Sequence, residues 1–261
     1  MSDAAWWPFG PPRASAGRVP LLCLPFAGGG ASIYRRWRTL AQGRVDVVPV
    51  QLPGREGRIR ERPLREMRGL VDALAAALLP RIGGPYALFG HSMGAFIGYA
   101  LSRTLEASGA PAPAALFASA ARAPHRARRS APLHALSDAD FTAALKDLQG
   151  TPEAVLEHHE LMELLLPLLR ADFELCETYQ PEDARPLSCP IFALAGEADP
   201  SLLPGEVEAW GELTTARFDL MRFPGGHFFL EGSAPAILRH VEERLAAAAG
   251  GAKAGEPLGP A

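Results

Sequence analysis

Apolar residues along the chain fall into two alternating rhythms. Short, nearly continuous runs lie at 18–26 (RVPLLCLPF), 45–54 (VDVVPVQLPG), 85–90 (PYALFG), 113–120 (PAALFASA), 189–197 (CPIFALAGE) and 217–223 (RFDLMRF). Runs this short and oily predict strands buried on both faces. Between them, apolar positions recur at helical spacing around 34–42, over 66–82 (EMRGLVDALAAALLPRI), over 95–106 and from about Pro235 to Ala248. Strands alternating with helices predict an α/β architecture, a mostly parallel sheet flanked by helices.

The alternation stops between Pro124 and Pro186, where three helices follow one another without a strand: SDADFTAALKDLQG, TPEAVLEHHE and ELMELLLPLLRADFELCETY. Ser137 with Asp140 forms a capping box, Gly150 ends the first helix, and Thr151-Pro152 opens the second. Four parts result: an N-terminal segment 1–17, a core of 18–123 and 187–248, an all-helical insertion 124–186, and a breaker-rich tail 249–261. There is no internal repeat.

Composition narrows the function. A hydrophobic content of 48% supports a sizeable core, and 26 basic against 29 acidic residues give a net charge of −3, which argues against nucleic acid as partner. Cys23, Cys176 and Cys189 are odd in number and far apart, which fits packed thiols in a reducing cytoplasm. The N-terminus lacks a secretory apolar core, and no stretch approaches the roughly 18 apolar residues needed to cross a bilayer. The expectation is a cytoplasmic protein without a membrane partner.

Chemistry enters at Gly90-His91-Ser92-Met93-Gly94, a G-x-S-x-G pattern lying between a strand and a helix. In that setting the turn exposes a serine hydroxyl as a nucleophile, and an acid and then a histidine base follow from loops beyond later strands. Asp199 follows the strand at 189–197, with Glu197 as its rival; Asp199 is preferred because Pro200 biases it towards an extended strand exit. His227 sits in a glycine-rich loop beyond 217–223. His91 neighbours Ser92 but diverges from it on a sharp turn. His125, His134, His158 and His159 belong in or beside the insertion, and His240 reads as a solvated position of the last helix. The oxyanion donors are the N–H of Met93 and an N–H in LPFAGGG, with Ala27 favoured. Neither G-x-x-x-x-G-K-[ST] nor G-x-G-x-x-G follows that loop, so a nucleotide site is not expected.

The segments LPFAGGGASIYRRW, VPVQLPGREGR, FGHSMGA, LMELLLPLLRADFELCETY, LAGEADP and FPGGHFFL, in order over about residues 20–245, resemble the type II thioesterases of nonribosomal peptide and polyketide assembly lines. The resemblance implies the α/β-hydrolase fold with the helical insertion as a lid. It also implies hydrolysis of acyl thioesters from the phosphopantetheine arm of acyl carrier (thiolation) domains, with Ser92, Asp199 and His227 as the triad and no metal or bound cofactor. Phe26, Leu161, Leu165, Phe173 and Phe228 are the substrate-channel and lid candidates.

The last helix of the insertion carries Leu161, Leu164, Leu165, Leu168, Leu169 and Phe173 on one stripe and Met162, Leu166 and Leu175 on another. One oily face can meet the sheet domain; the other meets either an acyl channel or the insertion itself. Pro167 is expected to kink or restart this helix. Arg122, Arg126, Arg128 and Arg129 read first as a solvated charge run, with carrier docking as the alternative. The histidines of EHHE point apart on a helix and do not make a metal site. Three alternatives to an editing thioesterase stay open: a general carboxylesterase, a product-releasing thioesterase, and a non-catalytic carrier-binding module.

Overall fold

The computed structural model describes residues 3–13, 17–41, 43–128, 131–147 and 158–251. Six strands form one wholly parallel sheet: β1 (Val19–Leu24), β2 (Val45–Pro49), β3 (Ala87–His91), β4 (Ala115–Ser119), β5 (Ile191–Gly196) and β6 (Phe218–Phe223), in the order β2-β1-β3-β4-β5-β6. The helices are α1 (Arg35–Leu40), α2 (Met67–Leu78), α3 (Met93–Ala107), α4 (Asp138–Asp147), α5 (His159–Thr178) and α6 (Leu230–Gly251).

Burial on both faces explains why the strands read as continuous apolar runs rather than as alternating ones. Leu22, Leu24, Leu88, Leu116 and Ile191 pack against α2 and α3, while Leu21, Cys23, Phe89, Phe117 and Phe192 pack against α1 and α6. The chain leaves β1 for the β2 edge and returns to the other side of β1 as β3. Sheets of this kind open a crevice at the carboxyl ends of the two strands where the winding reverses, here β1 and β3.

Several boundaries differ from those in the sequence pattern. α6 begins at Leu230, because Pro235 imitates a first-turn proline yet lies inside the helix. His240 is 4% exposed, between Phe192 and Phe223, and not solvated as expected. Burial, with Arg244 adding to it, lowers its pKa. α5 is one helix through Pro167, with no restart there.

Of the three helices expected in the insertion, the first and last are α4 and α5; Gly150 and 151–157 of the second lie outside the described residues. Ser137 caps α4 as expected, its Oγ accepting from Asp140 N (3.2 Å) and donating to Asp140 Oδ2 (2.7 Å). Phe141, Leu145, Met162 and Leu169 form a small core of their own between α4 and α5. Most of the tail lies outside the described residues as well.

The N-terminal segment joins the core. Trp6 and Trp7 are buried in the cluster beneath α2, Trp6 O accepts from Gln51 N at 2.9 Å, and the Arg58 guanidinium stands 4.5 Å from the Trp6 ring centroid. Trp6→Ala removes that plug, and the expected loss is about 3–5 kcal/mol of unfolding free energy. Urea denaturation followed by circular dichroism checks this; a loss below about 1 kcal/mol would mean that the segment is not part of the fold.

Candidate active site

The crevice at β1 and β3 is where the sequence-predicted residues converge. Ser92 forms the corner between β3 and α3 with φ +53° and ψ −112°, a conformation costing a non-glycine residue about 1–3 kcal/mol. The flanking glycines are dictated by backbone contact. A Cβ on Gly90 would stand 2.0 Å from Gly94 O, and one on Gly94 would stand 2.2 Å from Leu24 O. Ser92 N donates to Ser119 O at 2.7 Å, which ties the corner to β4. Its hydroxyl has no hydrogen-bond partner among the described residues and lines a cavity together with His227.

His227 and Asp199 sit on the loops after β6 and β5. Nδ1 of His227 lies 2.8 Å from Asp199 Oδ2, and the Asp199 side chain is fully buried. Burial by itself would raise the Asp199 carboxyl. Hydrogen bonds from His227 and from Ser201 outweigh it and hold the carboxyl below its ordinary value. With Asp199 ionised, Nδ1 of His227 donates, and Nε2 becomes the basic nitrogen. Glu197 is exposed at the strand end.

Ser201, which the sequence reading did not single out, supports the same carboxylate. Its N and Oγ donate to Asp199 Oδ1 at 2.9 and 2.6 Å, and its Oγ lies 3.1 Å from His227 Nδ1. The signal for it was present in Asp-Pro-Ser, since an aspartate commonly accepts from the N–H two residues on.

The loop after β1 makes the opposite wall. Phe26 to Gly29 is a tight turn closed by Gly29 N donating to Phe26 O at 2.9 Å, with Gly28 at φ +78°. Positive φ at the third position is what a type II turn requires. The Ala27 N–H stays outside the turn's own bond, and Ala27 lines the cavity. Met93 is the first residue of α3, so its N–H has no acceptor within the helix and stands at the positive end of the helix dipole.

The cavity measures about 240 Å³. Phe26, Phe173 and Phe228 line it, whereas Leu161 and Leu165 stand on α5 outside it. Those two share a stripe with Leu169 and Phe173, but the cavity reaches only the last two of these turns, and Leu165 packs into the core between α4 and α5. Leu145 and Leu169 contribute in their place.

Of the arginines after β4, Arg126 is exposed, whereas Arg122 and Arg128 are half-buried. Arg122 lines the cavity with its guanidinium 5.3 Å from the Phe96 ring centroid, Arg126 pairs with Glu212, and Arg128 pairs with Glu177 on α5 at 2.7 Å. Arg129 lies outside the described residues. Other histidines are engaged elsewhere: His125 with Glu212, His134 with Glu177, and His158 as the cap of α5. Among the described residues no cluster of three or more His, Cys, Asp or Glu side chains forms a candidate metal site, and no helix is long and apolar enough to cross a membrane.

Comparison with known proteins places these features in context. The thioesterase domain family matches residues 19–245. The chain is 41% identical over 231 residues to the gramicidin S biosynthesis protein GrsT of Aneurinibacillus migulanus, covering 88% of this chain and 90% of that one. It is 38% identical over 242 residues to a protein of Brevibacillus parabrevis named linear gramicidin dehydrogenase LgrE, covering 92% of each. Among solved structures, the type II thioesterase BorB from the borrelidin biosynthetic cluster superposes with a TM-score of 0.80 at 41% identity, over 89% of this chain and 95% of that one.

His91 lies beneath this site, fully buried, with Nδ1 2.9 Å from Ser119 Oγ and its ring centroid 5.4 Å from that of His227. Burial first, then neighbouring His227, pulls its pKa down to about 3. An unfolded imidazole titrates near 6.5. Above roughly 6.5 both states are neutral and this contribution to stability is complete; below it only the unfolded chain takes the proton. Stability therefore falls as the pH drops from roughly 6.5 towards 3, by about 1.4 kcal/mol per pH unit from this group. His91→Gln should flatten the acid limb by that amount in urea titrations across the window. An unchanged slope would show that His91 protonates in the native state.

Proposed function

The chain belongs to the thioesterase family, and from that premise we propose that it hydrolyses acyl thioesters from the phosphopantetheine arm of carrier domains in nonribosomal peptide or polyketide synthesis. The observation that carries this reading is one cavity, roofed by α5, that Ser92, His227 and Ala27 line together, with Asp199 bonded to His227 Nδ1. The names of its relatives supply the assembly-line setting: gramicidin S for GrsT and borrelidin for BorB.

Ser92 Oγ attacks the thioester carbonyl carbon as His227 Nε2 takes its proton. The carbonyl oxygen gathers negative charge between the N–H groups of Ala27 and Met93, where fixed dipoles are most effective. When the tetrahedral adduct collapses, the C–S bond breaks and His227 returns the proton to the pantetheine sulfur, leaving an acyl-serine. Water then repeats the sequence: His227 takes its proton, the acid departs, and Ser92 regains its hydrogen. Asp199 keeps Nδ1 of His227 protonated and stabilises the imidazolium. The thioester arm arrives with the substrate, so this chemistry needs no cofactor or metal of the protein's own.

The insertion serves as the lid in this reading, with Leu145, Leu169 and Phe173 against the acyl group. A cavity of about 240 Å³ lies near the lower end of small-molecule sites and supports short acyl units as substrates. Clearing such units from misloaded carriers is the corresponding biological role, carried out in the cytoplasm beside the synthase. A dehydrogenase activity, as in the name of LgrE, lacks support here, because the glycines after β1 form a closed turn and not a dinucleotide loop.

Ser92→Ala should reduce release of acid from acyl-loaded carrier to background, and Asp199→Asn should lower kcat by about 10⁴-fold, as loss of the orienting carboxylate does in other triads. Mass spectrometry of the carrier, with fluorophosphonate labelling of Ser92, checks both. Rates on acyl-carrier, acyl-coenzyme A and simple esters then separate the reading from a general esterase, since only the first substrate provides protein docking. Equal kcat/KM on all three would sink the carrier assignment.

A further inference from the structure

The proposed reaction makes no direct use of a buried ion pair that joins the turn after β2 to α5. Arg55 is 4% exposed and Asp172 is 1% exposed. They meet bidentately, Arg55 Nη2 donating to Asp172 Oδ1 at 2.7 Å and Nη1 to Oδ2 at 2.8 Å. The same Oδ2 accepts from Gly28 N at 2.7 Å, and the same Nη1 donates to Gly29 O at 3.1 Å. Arg55 Nε is fixed on Pro53 O at 3.2 Å. One helical turn earlier on α5, Leu169 lies so close to Gly28 that an added Cβ there would stand 2.6 Å from Leu169 Cδ2.

Both ends of the Gly28–Gly29 unit are thereby held from outside the loop, one residue beyond Ala27. A buried pair of charges is a poor source of net stability, because an apolar pair of similar volume commonly does as well or better. Its distinctive property is directional: it fixes where three chain segments meet. Without it, the turn that carries Ala27 retains one internal bond, Gly29 N to Phe26 O. We propose that Arg55 and Asp172 are positioning residues that aim the Ala27 N–H at the developing oxyanion, and that this aim depends on α5 being seated over the loop. The inference rests on the reading of Ala27 as an oxyanion donor under the proposed function. It makes the roof of the cavity part of the catalytic geometry, so that a displaced α5 disarms the site as well as opening it.

The test compares the wild-type chain with Asp172→Asn and with the double variant Arg55→Met/Asp172→Leu, which leaves no orphaned charge. On acyl-loaded carrier, kcat should fall by about 10- to 100-fold in both, approaching the cost of losing an oxyanion donor, with KM within about threefold. The pH dependence of kcat should keep its acid limb, because the His227–Asp199 pair is untouched. In hydrogen exchange, the peptide spanning 26–30 should exchange faster, with the peptide spanning 88–95 unchanged. A folded double variant with kcat within about threefold of wild type overturns the proposal, as does a loss of kcat accompanied by a shifted acid limb or by faster exchange throughout. A double variant that fails to fold also overturns it, by making the pair a requirement of the fold. Failure of the wild-type chain to release acid from any acyl-carrier would instead strike at the thioesterase reading and is distinguished by that control.

Discussion

Backbone touches backbone where α3 begins, and the placement of the whole site follows from that contact. Gly94 rests on the carbonyl of Leu24 at the end of β1, and Gly90 rests on the carbonyl of Gly94. No side chain fits in either gap, so the first turn of α3 is pressed into the angle between β1 and β3. Leu24 O is not left unsatisfied by this approach, since it accepts from Tyr34 Oη at 2.9 Å. Ser92 takes its strained backbone at the apex. The end of β1, which leads into the loop that carries Ala27, is thereby packed against the first turn of α3, which begins at Met93. A strain of about 1–3 kcal/mol at Ser92 persists because the surrounding contacts, including Ser92 N to Ser119 O, leave the corner no alternative.

Topology supplies the remaining partners. Because the strands are parallel, the loops after β1, β3, β5 and β6 all emerge at one edge of the sheet. Residues 27, 92, 199 and 227 are brought together by strand direction, and sequence separation does not hinder them. Nearer neighbours along the chain serve other ends. His91, adjacent to Ser92, points into the protein and packs beneath His227, since successive strand residues face opposite sides.

Short oily strands, the chain order of serine, aspartate and histidine, and the glycine-rich turns each rest on local chemistry with a fixed geometric consequence. Arg55 and Asp172, by contrast, stand 117 positions apart, and neither lies in a motif whose physics demands a partner. The buried His240 was misjudged because a lone histidine among charged residues of a helix carries no sign of the Phe192 and Phe223 rings above it. Helical spacing puts Leu161 and Leu165 on the stripe of Leu169 and Phe173 but does not say how far along the helix that stripe reaches the cavity. For Arg122 and Arg128, composition does not reveal that the Phe96 ring and Glu177 stand opposite them.

Polar bonds tie the C-terminal half of α5 to the sheet domain, Asp172 on Arg55 and Gly28 N and Glu174 on Arg65, and to the rest of the insertion, Arg170 on His134 O, Leu136 O and Asp138, and Glu177 on Arg128 and the 133–134 turn. Towards the N-terminal end Met162, Leu165 and Leu166 pack with Phe141 and Leu145 of α4, and Leu164 is 61% exposed. Directional bonds resist sliding, whereas apolar contacts between α4 and α5 can re-form in another register at small cost. The turns of α5 that carry Leu169 and Phe173 into the cavity are thus the turns whose neighbours Asp172 and Glu174 bond to the sheet domain.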